Sequence, residues 1–210
     1  MATQGIKGFY VESGANDWLR VSNTAFLDLC LGWEGLCIEP STRYHEGIRE
    51  HRTCELVPNC LSYKNEMVNL VGEAINSTGG VPVECVRLDQ LLEQRNISRV
   101  HLWSLDIEGF ETNALKGMDF DNYDVQTILM EQQELSNDPC VQIAIDFTLT
   151  VNWGYSKYRI VSDAFYIKPN YGPTFSKLRF PNSSALGEYF HELEDRRCTK
   201  KKTVLFTDDY

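Results

Sequence analysis

Short apolar runs alternate with segments of helical periodicity along residues 8–168, and this alternation constrains the fold more than any other feature of the sequence. The apolar runs predict strands at residues 9–11, 35–38, 54–61, 81–86, 100–105 and 127–130, and a closing hairpin within 158–169. Apolar residues spaced three and four apart predict helices between these runs, one of them from Met67 to Gly79-Gly80. Strands that alternate with helices favour a mostly parallel α/β sheet covered by helices on both faces. The hairpin would make the last strand antiparallel.

The length of the chain and its loss of periodicity predict the domain organisation. The 210 residues suffice for one sizeable domain with a full hydrophobic core. Periodicity fades after about residue 170. We therefore expect a core over residues 1–170 and a C-terminal extension, residues 171–210, packed on the same domain.

The charge of the chain disfavours one class of partner. The formal net charge is −10 and the sequence pI is about 4.9. A protein whose main partner is nucleic acid normally carries a basic stripe, so the sequence predicts no nucleic-acid partner. No apolar run approaches the length that a membrane-spanning helix needs, so the sequence also predicts no membrane span.

The cysteines indicate a compartment. The chain has seven of them, an odd number, with no C-x-x-C pair and several members in apolar runs. This pattern predicts a cytoplasmic protein with reduced thiols and no structural zinc. Three N-x-S/T sequons begin at Asn76, Asn96 and Asn182. Because the opening residues do not resemble a signal peptide, we interpret the sequons as chance matches.

Acidic residues close four of the predicted strands, at Glu12, Glu39, Asp106 and Glu131. The carboxyl ends of parallel strands meet at one edge of a sheet, and ligands bind there. A glycine-containing turn after the first strand lets backbone N–H groups approach a ligand. An acid after the second strand can accept hydrogen bonds from both hydroxyls of a ribose. The sequence therefore predicts a nucleoside-type pocket at this edge.

The first turn argues against a dinucleotide as the ligand. A dinucleotide-binding turn carries three glycines and opens into a helix whose amino end faces a pyrophosphate. Here the turn contains only Gly14, and Glu12 and Asp17 would repel a pyrophosphate. S-adenosylmethionine, with a ribose and a zwitterionic end, suits such a pocket better. A nicotinamide-dependent oxidoreductase remains the rival hypothesis.

Several sequence blocks resemble one family in the same order. The blocks are VESGANDWLRVSNTAFL with LGWEGLCIEPS, VRLDQLL, SLDIEGFETNALKGMDF, ILMEQQE and NWGYSKYRIVSDAFYIKP. Together they cover roughly residues 8–168 and resemble the FkbM family of S-adenosylmethionine-dependent methyltransferases. The resemblance implies a Rossmann-like class I methyltransferase fold with a seven-stranded sheet. It also implies methyl transfer to a hydroxyl, often on a sugar, so that the partner is a carbohydrate acceptor in a glycan.

The resemblance further implies a set of cofactor-binding residues. They are Glu12, Gly14, Ala15, Asn16, Asp17, Ser22, Asn23, Glu39, Pro40, Asn59, Cys60, Leu61 and Asp106. Glu39 should hold the ribose hydroxyls, and the residues from Asn59 onward should flank the adenine. Ser22 and Asn23 should lie near the methionine end or the substrate mouth, with capping of the first helix as the alternative.

The candidate catalytic residues are Asp106, Glu108 and Glu131. Asp106, Glu131 and Gln132 also resemble the magnesium ligands of catechol-type O-methyltransferases, since such oxygen ligands suit Mg²⁺ or Mn²⁺. A bound cation would lower the pKa of an acceptor hydroxyl. Alternatively, one carboxylate acts as the general base without a metal. The sequence leaves both mechanisms open.

Trp18 departs from the family pattern, which has a glycine at that place. An indole-bearing residue with positive φ would be strained, so we predict an ordinary backbone there and a ring that turns to the rim of the pocket. A ring inside the pocket would instead indicate a catalytically inactive cofactor-binding module. A non-sugar hydroxyl acceptor is a further alternative. Few residues precede the first strand, so we also expect the chain to be a domain of a larger glycan-synthesising protein.

Overall fold

The computed structural model describes residues 7–72, 74–76, 79–132, 139–160 and 163–169. The chain divides into two compact units, residues 1–131 and 132–210. The predicted extension, residues 171–210, lies outside the described residues. The division of the chain into a core and an extension therefore stays a prediction.

The first unit contains most of the regular structure. In chain order its elements are β1 (Phe9–Ser13), α1 (Ala25–Leu29), β2 (Glu34–Ile38), α2 (Thr42–His51), β3 (Glu55–Val57), β4 (Cys60–Leu61), β5 (Glu66–Val71), β6 (Ala74–Asn76), β7 (Val81–Val86), α3 (Leu88–Glu93), β8 (Arg99–Val100), β9 (Leu102–Leu105), α4 (Glu111–Lys116), β10 (Asp124–Val125) and β11 (Thr127–Glu131). The second unit contains α5 (Pro139–Phe147), a π-helical segment (Thr148–Asn152), β12 (Ser156–Ile160) and β13 (Asp163–Ile167).

Five parallel strands form the centre of the first unit, in the order β11-β9-β1-β2-β3. Val11 of β1 stands opposite Leu36 of β2 on one side and Trp103 of β9 on the other. All three side chains are almost completely buried. Strands that are buried on both faces have continuous apolar sequences, which explains why these strands could be recognised from the sequence.

The second unit supplies an antiparallel hairpin. Strand β12 pairs with β13 so that Ser156 faces Ile167 and Ile160 faces Asp163. With these two strands the sheet has seven strands and is mostly parallel. The predicted Rossmann-like α/β fold, with its antiparallel last strand, is confirmed.

The helix predicted from Met67 to Gly79-Gly80 is wrong. Its described part forms β5 and β6, which pair antiparallel and join β7 and β4 in a separate four-stranded sheet. Gly72 has φ +67°, a conformation that favours glycine and suits the reversal between β5 and β6. Val68 and Val71 are β-branched and prefer strands. The three-and-four spacing of the apolar residues was therefore accidental.

The expectation of reduced cysteines is also wrong. Cys37 is bonded to Cys54 and Cys60 to Cys85, and Cys140 is disulfide-bonded as well. The bonded partners lie 17 and 25 residues apart in the first two bridges. Cysteines this far apart in the sequence form no recognisable local motif. The pairing of β4 with β7 and of β2 with β3 is what brings the thiols together.

Within the part of the chain that the structure describes, no helix combines the length and apolar character needed to cross a membrane.

Candidate functional site

A cavity of about 250 Å³ lies in the first unit at the carboxyl ends of β1, β2, β9 and β11. Ten of the residues predicted from the sequence line it: Gly14, Asn16, Glu39, Pro40, Asn59, Cys60, Leu61, Asp106, Glu108 and Glu131. The structure therefore brings two residues of the predicted cofactor turn, the predicted ribose acid and all three candidate catalytic acids to one place.

The turn after β1 requires a glycine. Gly14 has φ +75°, and a Cβ added there would lie 1.9 Å from the carbonyl oxygen of Asp106. The N–H groups of Gly14 and Ala15 both donate to the carbonyl oxygen of Ile38, at 3.0 and 3.2 Å. Only a residue without a side chain can pass so close to the end of β9 while also binding the end of β2.

Glu39 is held at the end of β2 by backbone donors. Its carboxylate accepts hydrogen bonds from the N–H of Asn16 at 2.8 Å and the N–H of Ser41 at 2.7 Å. The side chain is 5% exposed and lines the cavity. Asn16 itself has φ +48°, a left-handed conformation that asparagine tolerates better than most residues. The turn and the acid thus position each other.

Glu12 faces its own chain instead of the cavity. Its carboxylate accepts hydrogen bonds from Ser22 Oγ, from the N–H of Asn23 at 2.8 Å and from Thr24 Oγ1 at 2.8 Å. It also forms an ion pair with Arg52, with 3.1 Å between Nη1 and Oε2. Glu12 therefore holds the segment that leads into α1, and the predicted cofactor contact of Glu12, Ser22 and Asn23 stays a prediction.

Arg52 is a buried cation that the sequence analysis missed. Its Nε donates to Asp28 Oδ2 at 2.6 Å and its Nη2 to the hydroxyl of Tyr10 at 3.1 Å. Burial opposes the charge on Asp28, but the hydrogen bonds from Thr53 and Arg52 outweigh it and lower the pKa of the carboxyl. Arg52 forms ion pairs with both Glu12 and Asp28, and these partners compensate for the burial of its charge. No short motif predicts it, because Arg52 lies between α2 and β3.

Asp106 and Glu131 form a pair of acids in the cavity wall. Burial, a hydrogen bond with Glu131 and the charges of Glu131, Glu108 and Glu111 together raise the pKa of Asp106 to about 8. Two carboxyls that share one site cannot both ionise easily, so one proton stays between them near neutral pH. A group with such a pKa can accept a proton close to physiological pH.

Glu111 stabilises the turn after Asp106 by accepting hydrogen bonds from its backbone. Glu111 is buried, and its Oε1 accepts the N–H groups of Ile107 at 3.0 Å and Gly109 at 3.2 Å. Its Oε2 is buried without a hydrogen-bond partner among the described residues. Burial is the main reason that the pKa of Glu111 is raised. Glu108 between these donors has φ +55°, which is strained for a residue with a side chain.

Two further predicted residues serve the local chain. Ala15 is buried in the core next to Tyr10 and Ile48. Asp17 caps the following turn, because its Oδ1 accepts the N–H groups of Leu19 at 3.1 Å and Arg20 at 2.8 Å. These backbone hydrogen bonds lower the pKa of Asp17.

Gln132 belongs to the second unit and to a polar cluster there. Its Nε2 donates to the hydroxyl of Tyr166 at 2.9 Å, and that hydroxyl donates to Asp146. Lys157 also binds Asp146, at 2.7 Å, while its burial lowers the pKa of the ammonium group. In the described ranges no three His, Cys, Asp or Glu side chains converge well enough to hold a metal ion. The structure therefore adds no support for the predicted Mg²⁺ or Mn²⁺ ligands Asp106, Glu131 and Gln132.

Trp18 has ordinary backbone geometry, since it is absent from the residues with positive φ. Its ring packs against α2: the centroid lies 4.3 Å from that of the His51 ring, and a Cβ at Gly47 would meet the indole at 3.0 Å. Trp18 does not line the cavity. The departure from the family glycine therefore leaves the cavity open.

Sequence reasoning missed four cavity residues, which are Val21, Ile38, Leu70 and Ile107. Ile38 and Ile107 directly adjoin predicted site residues, so a wider window would have included them. Leu70 lies on β5, in the segment that the spacing assigned to a helix. Its position therefore could not be predicted from that pattern.

A mostly parallel α/β sheet with a cavity at the carboxyl ends of its strands is typical of the class of α/β proteins that bind ligands at that edge of the sheet. Within this class, residues 62–156 match the family model described as the methyltransferase FkbM domain. The resemblance to the FkbM methyltransferases is confirmed, and it supports a methyltransferase role.

The fold is similar to the crystal structure of methyltransferase FkbM from Methylobacillus flagellatus KT, with a TM-score of 0.54 and 13% sequence identity. The match covers 77% of this chain and 43% of that one, so the chain spans less than half the length of the bacterial protein. Identity this low supports the fold alone. No curated protein matches the sequence significantly.

Proposed function

We propose that this protein uses S-adenosylmethionine to methylate a hydroxyl group, with a sugar as the acceptor class. The observation that supports it is a single cavity with two kinds of wall. One wall carries the Gly14 turn and Glu39, and the other carries Asp106 and Glu131. The first suits a nucleoside and the second suits proton transfer.

The first wall would hold the cofactor. The carboxylate of Glu39 has its orientation set by two backbone N–H groups and can accept hydrogen bonds from ribose hydroxyls. Asn59, Cys60, Leu61 and Leu70 offer a mostly apolar surface to an adenine ring. When bound, the cofactor supplies an electrophilic methyl group on a cationic sulfonium, which a cavity rich in carboxylates favours.

The second wall would handle the proton of the acceptor. A hydroxyl that becomes methylated must lose its proton, and ionised Asp106 can take it at its carboxylate oxygen. The raised pKa places this change near pH 8 and makes the carboxylate a stronger base than an ordinary aspartate. Glu131 lies beside Asp106, and its negative charge would help to keep the pKa of Asp106 high.

The sugar acceptor rests on the family resemblance. Aromatic rings can stack on sugar faces, but two candidate rings are buried in the protein. Trp103 is fully buried, with its Nε1 hydrogen-bonded to Ser13 Oγ at 2.9 Å. Tyr155 is 3% exposed. These rings are therefore unavailable for stacking on a sugar. A non-sugar hydroxyl is the alternative that the acceptor experiment must decide.

Calorimetry with S-adenosylhomocysteine tests the cofactor. We expect the wild type to bind and Glu39→Gln to bind about 10- to 100-fold more weakly, because a charged hydrogen-bond acceptor contributes about 1.5–3 kcal/mol. Glu34→Gln is the matched control, since Glu34 is an exposed glutamate at the opposite end of the same strand. No binding by the wild type would overturn the proposal, and equal affinities of Glu39→Gln and Glu34→Gln would refute the role of Glu39.

Turnover tests the reaction. The protein is incubated with cofactor carrying a labelled methyl group and an array of mono- and oligosaccharides and simple alcohols. A labelled methyl ether on a sugar supports the proposal, and label on other alcohols alone would replace the acceptor class. Cofactor binding without turnover on any acceptor would indicate a binding module. Activity that persists after chelation would favour the metal-free mechanism, and activity restored only by Mg²⁺ would favour the metal.

A further inference from the structure

We propose that Asn96 is an N-glycosylation site, which places the folding of this chain in an oxidising, glycosylating compartment. The proposal is independent of the methyltransferase function and rests on three observations: the disulfide bonds, the local conformation at Asn96, and the position of Asn96 relative to the cavity.

The disulfide bonds indicate an environment in which the sequons can be glycosylated. Cys37–Cys54 and Cys60–Cys85 are formed, Cys140 is disulfide-bonded, and Cys30 is a free, exposed thiol. Proteins acquire structural disulfides of this kind where the surroundings are oxidising, as in the secretory pathway. N-x-S/T sequons are glycosylated in the same environment.

The conformation at Asn96 presents the side chain outward. The N–H of Asn96 donates to the carbonyl of Glu93 and the N–H of Ile97 to that of Leu92, both at 3.0 Å, so the backbone closes α3. Asn96 has φ +56° and is exposed, as is Ser98. Neither side chain is hydrogen-bonded to another residue within the described ranges. Asparagine is favoured at such a left-handed helix end, so the same residue serves the fold and the sequon.

The position of Asn96 keeps a glycan away from the cavity. Asn96 precedes the amino end of β8, whereas Asp106 follows the carboxyl end of β9. Strands rise about 3.3 Å per residue, so the extended chain from Ser98 to Asp106 spans up to roughly 25 Å. The glycan would therefore lie on the edge of the sheet opposite the candidate site.

The transfer itself needs a lipid-linked oligosaccharide pyrophosphate and the transferase of that compartment. The amide nitrogen of Asn96 forms a bond to the anomeric carbon of the first sugar and loses one proton. The bond from that carbon to the pyrophosphate oxygen breaks, and the lipid pyrophosphate leaves. The hydroxyl of Ser98 completes the sequon that the transferase recognises.

The experiment uses the full chain fused to a secretory leader in cultured animal cells. Retained and secreted chains are pooled, so poor export cannot hide the result. Glycans are released by peptide N-glycosidase in heavy-oxygen water, which leaves a labelled aspartate at each occupied position. Peptide mass spectrometry then reads Asn76, Asn96 and Asn182 separately, and the disulfides are mapped on the same sample.

We expect the label at Asn96 and the loss of one glycan in Asn96→Asp and in Ser98→Ala. Asn96→Asp keeps a residue that tolerates the left-handed conformation, and Ser98→Thr keeps the sequon, so that variant should remain glycosylated. A chain with its disulfides formed and no label at Asn96 overturns the proposal, including when Asn76 or Asn182 is labelled.

Discussion

The charge of Asp106 should control the pH dependence of methyl transfer. Its pKa is raised to about 8, so the carboxylate that accepts the proton is scarce at pH 6 and abundant at pH 9. We expect kcat to rise with pH, to be half-maximal near pH 8 and to level off above about pH 9. Asp106→Asn should lower kcat by about 100- to 10,000-fold, the usual contribution of a general base.

Glu131 offers the control for this profile. Glu131→Gln removes a neighbouring negative charge, so the pKa of Asp106 should fall and the rise in kcat should move to lower pH. Initial rates measured from pH 5 to 10 for the wild type and Glu131→Gln would show the shift. Superimposable profiles would contradict the assignment of the proton to this pair.

Gly14 should be sensitive to the smallest enlargement. In Gly14→Ala the new methyl group would lie 1.9 Å from the carbonyl oxygen of Asp106 at φ +75°. Strain and overlap together should cost about 2–4 kcal/mol of unfolding free energy. Gly32→Ala is matched in φ, at +65°, but its methyl group meets nothing within 4 Å, so only the strain of about 1–2 kcal/mol should remain. Urea unfolding of both variants measures the difference, and equal losses would show that the close approach is unimportant.

Glu12 and Glu39 show the limit of sequence reasoning at the scale of a residue. Both are acids that close neighbouring strands, and in the sequence they look equivalent. The structure separates them because the carboxylate of Glu12 is surrounded by donors from 22–24 and by Arg52, whereas Glu39 lines the cavity. Which direction an acid faces depends on residues such as Arg52 that are distant in the chain, and no local pattern contains that information.

At the scale of the elements, the pairing of β4 with β7 should support the cavity. Cys60 and Cys85 stand opposite each other in these strands and are bonded. Cys60 and Leu61 line the cavity, as does Leu70 of β5, which pairs with β7. Removing this bond should loosen the wall that would flank the adenine.

Two double variants separate this effect from general stability. Cys60→Ala/Cys85→Ala and Cys37→Ala/Cys54→Ala open loops of 25 and 17 residues, so each should lose about 3 kcal/mol of unfolding free energy. Only the first pair should also bind S-adenosylhomocysteine more weakly, because neither Cys37 nor Cys54 lines the cavity. Urea unfolding and calorimetry give the two readouts, and equal affinities in both variants would argue against a role for β4.

The four-stranded sheet also shows why some elements could not be predicted. In the segment from Met67 onward, apolar residues follow helical spacing, yet the chain forms β5 and β6. β7 pairs with β5 from Glu66 to Leu70, and tertiary pairing overrides a weak local pattern. The central strands, buried on both faces, carry a strong local pattern and were predicted correctly in type.

At the scale of the whole molecule, the order of strands and helices was sufficient to predict a mostly parallel α/β sheet, although not the separate four-stranded sheet. Alternation leads to a parallel sheet, parallel strands bring their carboxyl ends together, and the four strand-end acids then point to a site. The thiol chemistry could not be predicted in the same way, because the partners of Cys37 and Cys60 are far apart in the sequence. The order of elements along the sequence thus predicts the parallel arrangement of the strands. The disulfide partners, which are distant in the sequence, are identified only in the folded structure.

The stability of the molecule should also respond to the pKa of Asp106. The group titrates near its ordinary value of 3.8 when the chain is unfolded and near 8 when it is folded. Between these values the folded state binds more protons than the unfolded state, so this group stabilises the fold at low pH and its contribution is lost as pH rises towards 8. The loss is at most about 1.4 kcal/mol per pH unit, and less because the carboxyl is partly exposed.

Asp106→Asn isolates this contribution from those of the other titrating groups, since asparagine resembles the protonated acid and carries no charge. Burial lowers the pKa of His101 below its ordinary value of 6.5, so His101 gives the opposite slope below that pH, and both proteins share it. The variant should therefore gain stability relative to the wild type as pH increases from 5 to 8, while losing activity. Urea unfolding at each pH measures the difference. A difference that stays constant across this range would mean that Asp106 ionises alike in both states, and would remove the physical basis for its role as the base.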